Sequence, residues 1–145
     1  MKCLTVAALA AGAAALGACS TLQDGRVVRS PSRCLDQTVQ IYFEPYSADL
    51  TPEGASVIKA AAASLRGCRV SSIDVLGLAD AVGAADANQE LSERRAQSVS
   101  KALEAVGLPA HDMHVTAAGA AGAVTASGKA KPLRRRVDVT LHVAS

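Results

Sequence analysis

Apolar and polar positions follow two different periods along this 145-residue chain. Thr38 to Phe43 (TVQIYF) is β-branched and aromatic, which predicts a strand. Val57, Ile58, Ala61, Ala62 and Leu65 then recur at helical spacing. Thr51 precedes them as an N-cap, with Pro52 at the first helical position and Glu53 in the first turn. Gly67 closes the segment. Arg69 to Leu76 predicts a second strand, with Ile73, Val75 and Leu76 as its apolar positions. A loop from Gly77 to Asn88 follows its carboxyl end, and a second amphipathic helix runs from there until Gly107 and Pro109 stop it. Met113 to Gly119 alternates again, with Met113, Val115 and Ala117 on one face. Ala118 to Lys131, rich in Gly, Ala, Ser and Thr, predicts a mobile connection. Leu133 to Val143 predicts the last strand, in which Val137, Val139, Leu141 and Val143 share a face. Counting back by two puts Arg135 on that face and Arg134 and Arg136 on the other. The order β-α-β-α-β-β predicts a two-layer α/β sandwich with a mixed four-stranded sheet.

The second helix holds an anomaly. At about 100° per residue, with Leu91 set at roughly 0°, Ala96, Val99, Ala102, Leu103 and Val106 fall between roughly 20° and 140°. Glu93, Arg94, Gln97, Lys101 and Glu104 fall between roughly 200° and 300°, a solvated face. Arg95 falls at roughly 40°, inside the apolar arc. A buried guanidinium needs a charged or hydrogen-bonded partner; the alternative is an arginine that snorkels its head to water. Asp80 is the second anomaly. It lies just past the carboxyl end of a strand, where ligands tend to bind in open α/β sheets, or else it is a turn residue bonding its own backbone. Asn88 either caps the helix or braces the loop.

The start of the chain changes the setting. MKCLTVAALAAGAAALGACS has a positive Lys2 and an apolar run from Leu4 to Ala15, too short for a membrane span of about 20 residues. It reads as a secretory signal. Leu16-Gly17-Ala18-Cys19 resembles a bacterial lipobox, which implies cleavage after residue 18 and acylation of Cys19. An ordinary signal peptide ending in Ala-Cys is the alternative. Ser20 after the cysteine resembles the default for outer-membrane sorting, and several acyl chains on one terminus anchor stably. Three parts result: a signal over 1–18, a lipidated cysteine and polar tether over 19–36, and a folded domain over 37–145. Residues 20–33, fully extended, reach on the order of 45–50 Å.

Processing also sharpens composition. Removing the signal takes one lysine, so the formal net charge falls from +2 to +1. That gives no global case for nucleic acid, and the basic run around Arg134–Arg136 with Lys129 and Lys131 lacks interleaved aromatics. A solvated edge-strand guard is the plain reading of Arg134 and Arg136. With no Trp, one Phe and two Tyr, the core must be aliphatic and rich in small residues. Cys34 and Cys68 remain as an even pair in a compartment that permits disulfides, each ahead of a strand; a bridge is expected, with two buried thiols as the alternative. No histidines stand in ligand spacing to them, which argues against a metal. His111, His114 and His142 are scattered and read as surface residues. No residue pattern points to a cofactor.

The run Gly77-x-x-Asp80, Gly83, Asn88, then Leu91-Ser92-x-x-Arg95-Ala96 resembles the OmpA-like (OmpA/Pal/MotB) peptidoglycan-binding family, which typically reads GHTD…G…N…LSxxRA. Phe43, Ser47, Leu50, Pro52 and Gly54 keep its F-x-x-x-S-x-x-L-x-P-x-G opening, and the resemblance spans residues 38–143. It implies that Asp80 and Arg95 grip the free amino-acid end of diaminopimelate in the stem peptide, aspartate accepting from the ammonium and arginine donating two bonds to the carboxylate. It implies that Arg135, in the family's N-R-R-V segment, faces the ligand pocket or braces Asp80, and it places Asn88 with them. The family's His-Thr is Leu78-Ala79 here, and Tyr46 stands where a small polar or acidic residue is usual; Tyr46 either lines the pocket or is a plain loop aromatic. The expected function is a non-catalytic tether between outer-membrane lipid, through Cys19, and peptidoglycan. The alternatives are a scaffold for envelope protein partners, suggested by Leu78 and Ala79, and an envelope hydrolase. The last finds no Ser-His-Asp order, metal cluster or activated cysteine to support it.

Overall fold

The computed structural model describes residues 34–108, 112–131 and 134–144. The signal, Cys19 and the tether up to residue 33 lie outside them, as do Pro109, His111 and Leu133. The elements run β1 (Gln37–Tyr42), α1 (Pro52–Ser64), β2 (Val70–Gly77), α2 (Ala85–Ala105), β3 (Met113–Ala117) and β4 (Arg136–Val143). The strands form one sheet in the order β1-β4-β2-β3. β4 pairs antiparallel with β1 and β2, while β2 and β3 are parallel. The sheet is therefore mixed and four-stranded, as the sequence pattern predicts.

The last strand thus inserts between the first and second. Its apolar residues Val137, Val139 and Leu141 are fully buried and form the middle of the core with Ile41, Ile73 and Val75. Both helices cover that face: Ile58, Ala61 and Leu65 come from α1 and its end, and Ala96, Val99 and Leu103 from α2. An edge-guard role for Arg134 and Arg136 is ruled out by this order, because β4 has neighbours on both sides. Arg136 instead pairs with Asp138 on the helix-free face, and Arg134 donates to the carbonyl of Ala121.

Helix α1 starts where its residues dictate. Thr51 Oγ1 accepts from Gly54 N at 3.0 Å, and Pro52 and Glu53 occupy the first turn. Val57 departs from the expected stripe and is exposed, since it projects to the side of the arc set by Gly54, Ile58 and Ala61. Val115 is likewise 45 % exposed. β3 is one of the two edge strands, so its helix-side face lies at the rim of the helix layer.

Two features bring α2 against the carboxyl end of β2. A Cβ on Gly77 would lie 2.1 Å from the carbonyl oxygen of Ser92, so only glycine permits this approach. Ser92, fully buried, donates to Gln89 O and accepts from Gly119 N, tying the helix to the loop after β3. That loop is more ordered in its bonding than its composition suggests. Thr125 N donates to Lys129 O and Lys131 N to Ala123 O, closing a small hairpin over buried Ala123. At the opposite end of the sheet a disulfide joins Cys34, ahead of β1, to Cys68, ahead of β2.

Candidate functional site

Arg95 is fully buried, and each nitrogen of its guanidinium meets a backbone carbonyl. Nε donates to Ser47 O at 2.8 Å, Nη1 to Leu78 O at 3.2 Å and Nη2 to Glu44 O at 3.2 Å. The guanidinium also sits 5.3 Å from the centre of the Phe43 ring, within cation–π range. It does not snorkel to water. Burial pushes its pKa down from the ordinary arginine value; Asp80 pulls the other way and Arg135 adds to the fall. Arginine nonetheless stays protonated, because its ordinary value lies so far above neutrality. Five N–H donors less three leaves one on each terminal nitrogen.

Asp80 follows β2 by three residues and does not bond Arg95. Its Oδ2 accepts from Arg135 Nη1 at 3.1 Å, with both side chains about a third exposed. Its Oδ1 has no hydrogen-bond partner among the described residues. Arg135 precedes β4, and its backbone carbonyl accepts from Phe43 N, which places it beside the loop that Arg95 grips. Asn88 is inside the first turn of α2 rather than at its cap, which is Ala84 with no side-chain bond. The predicted loop therefore ends earlier than Asn88. Asn88 is 7 % exposed and donates from Nδ2 to Val82 O at 3.1 Å, bracing that loop.

These four side chains border one cleft of about 220 Å³, together with Leu91 and Tyr46. Anionic and cationic groups line the same recess, with apolar walls between them. Tyr46 is 80 % exposed at its mouth. Leu78 and Ala79 do not line it: both are buried, and both serve through the backbone. Leu78 O takes a bond from Arg95, and Ala79 N donates to Gly119 O. The apolar pair that suggested a protein-binding scaffold is thus part of the interior.

Sequence reasoning missed how much of the site is held by serine and backbone. Ser92 lies at roughly 100° on the helix wheel used above, within the apolar arc, so the same arithmetic flags it. The three carbonyls that hold Arg95 leave no trace in residue identity. Among the described residues no group of His, Cys, Asp and Glu is placed to hold a metal ion.

The OmpA family profile matches residues 42–136. Over 111 residues the chain is 34 % identical to the "Probable lipoprotein YiaD" of Escherichia coli K12, covering 74 % of this chain and 50 % of that protein, so it spans about half of YiaD's length. Among solved structures, the OmpA-like domain of FopA1 from Francisella tularensis superposes with a TM-score of 0.61 at 23 % identity, over 76 % of this chain and 77 % of that one. The cell wall anchor of the type VI secretion system from Pseudomonas aeruginosa gives a TM-score of 0.57 at 25 % identity, over 75 % and 82 %. The chain belongs to the OmpA family.

Proposed function

We propose that the protein is a non-catalytic lipoprotein that binds peptidoglycan through the diaminopimelate of the stem peptide and so ties the outer membrane to the wall. The observation that carries this reading is the one cleft that Asp80 and Arg95 both line. A free amino-acid terminus offers an ammonium and a carboxylate. The unbonded Oδ1 of Asp80 suits the first, and the two remaining N–H donors of Arg95 suit the second. Asn88 and Arg135 complete the lining, with Arg135 setting the orientation of the Asp80 carboxylate. Kinship with a probable lipoprotein supports the acylated Cys19, and likeness to a cell wall anchor supports the wall as ligand.

Co-sedimentation of the protein with purified sacculi tests the reading. The wild type should pellet, and Asp80→Ala should stay in the supernatant with its fold unchanged by circular dichroism. Equal pelleting of the two would overturn it.

A further inference from the structure

A second recess lies beside the first. It measures about 490 Å³, and Pro45 and Tyr46 border both. Tyr46 is the one non-glycine residue with positive φ among the described residues, at +58°. A Cβ makes that region unfavourable, so the surrounding structure must impose it. A turn closed by Ser47 N–H to Glu44 O at 3.2 Å holds it, and Arg95 bonds the carbonyls at both ends of that turn. The strained residue carries a ring that is largely exposed between the two recesses.

The second recess is cationic. Arg94, Gln97 and Lys101 of α2 line it at i, i+3 and i+7, one helical face. Arg94 has only a 3.9 Å approach to Glu90, both well exposed, and Lys101 has no ion pair among the described residues. One carboxylate, Asp49, also lines it and accepts from Ser47 Oγ, so two cations face one anion there. Because Pro45 and Tyr46 border both recesses, a wall peptide whose zwitterionic end fills the first has the second as its neighbour, and it carries carboxylates elsewhere along its length.

We propose that Tyr46 divides a two-part site and that the recess beyond it takes a carboxylate of the same stem peptide outside its diaminopimelate, with Arg94 and Lys101 as its partners. This rests on the peptidoglycan reading above and extends it. Tyr46 then steers the peptide between the two recesses, and the arginine that binds the terminus also bonds both ends of the turn that carries the divider.

Calorimetric titration of the full chain with two probes tests this: free meso-diaminopimelate, and the tripeptide L-alanyl-γ-D-glutamyl-meso-diaminopimelate. Wild type should prefer the tripeptide. Arg94→Gln with Lys101→Gln should weaken the tripeptide by about three- to tenfold and leave free diaminopimelate unchanged. Arg94→Lys with Lys101→Arg should restore the preference, and Tyr46→Gly should abolish it. If the neutral double variant binds the tripeptide as wild type does, the second recess is idle, while the peptidoglycan reading stands. If wild type binds neither probe, the peptidoglycan reading falls and this one with it.

Discussion

Asp80 and Arg95 border one cleft, yet no hydrogen bond or ion pair joins them. Asp80 is oriented by Arg135, and Arg95 by three carbonyls. Two opposite charges that bonded each other would have to part before a zwitterion entered. Here each is held by partners of its own, and both line the same cleft.

The two residues should therefore fail differently on substitution. Asp80→Asn removes the charge from a partly exposed pair, and such pairs contribute about 0–1 kcal/mol to stability. The melting temperature should move little. Binding should fall by roughly ten- to a hundredfold, the equivalent of one charged hydrogen bond. Calorimetric titration with a melt on the same sample checks both.

Arg95→Ala is not a clean probe of binding. It strands the carbonyls of Ser47 and Leu78, leaves Glu44 O with only the bond from Ser47 N–H, and removes the contact with Phe43. A loss of about 3 kcal/mol or more is expected. Arg95→Lys should recover little of it, because an ammonium cannot span three carbonyls set around a planar fork. Urea denaturation of both variants is the check.

The disulfide closes a loop of 34 residues in sequence separation. Its removal by Cys34→Ser with Cys68→Ser should cost about 3–4 kcal/mol through unfolded-chain entropy. The cleft lies at the other end of the sheet, so peptidoglycan binding well below the melting temperature should persist. A fall in denaturation midpoint with retained co-sedimentation is the expected pair of results.

His142 gives the fold a pH dependence. Its Nδ1 meets Asp36 and its Nε2 meets Asp74, each at 3.0 Å. Asp36, then Asp74, raise its pKa above the usual histidine value. The resulting stability is complete below about pH 6.5, the unfolded value, and is lost as pH rises through the folded one. Asp36 is held below its usual range, first by Val143 N–H and then by His142. Its share is present above the usual carboxylate value and is lost as pH falls through the lowered one. Denaturation midpoints should decline from about pH 6.5 upward in wild type, and that slope should vanish in His142→Gln.

Much of this was legible in the chain. Alternation placed the strands, Thr51-Pro52-Glu53 placed the first helix, and the angle of Arg95 marked a charge in the core. The same wheel puts Asn88 at roughly 60° and Ser92 at roughly 100°, so three polar residues interrupt one apolar arc, and all three are buried. What periodicity does not contain is strand order. The pattern of Val137, Val139 and Leu141 fits an edge or a centre equally, and only long-range pairing made β4 central. Nor does it contain backbone acceptors, so the hydrogen-bonded partners that a buried Arg95 requires have no signature in the sequence. Leu78 and Ala79 looked like losses from the site because a side-chain reading cannot see that their positions act through C=O and N–H.

The most direct measurement is a titration of the protein with free meso-diaminopimelate, run in parallel on wild type and Asp80→Asn. Wild type should bind saturably, with affinity weakened at least tenfold by the substitution. Equal affinity in the two, or no binding by wild type, would contradict it.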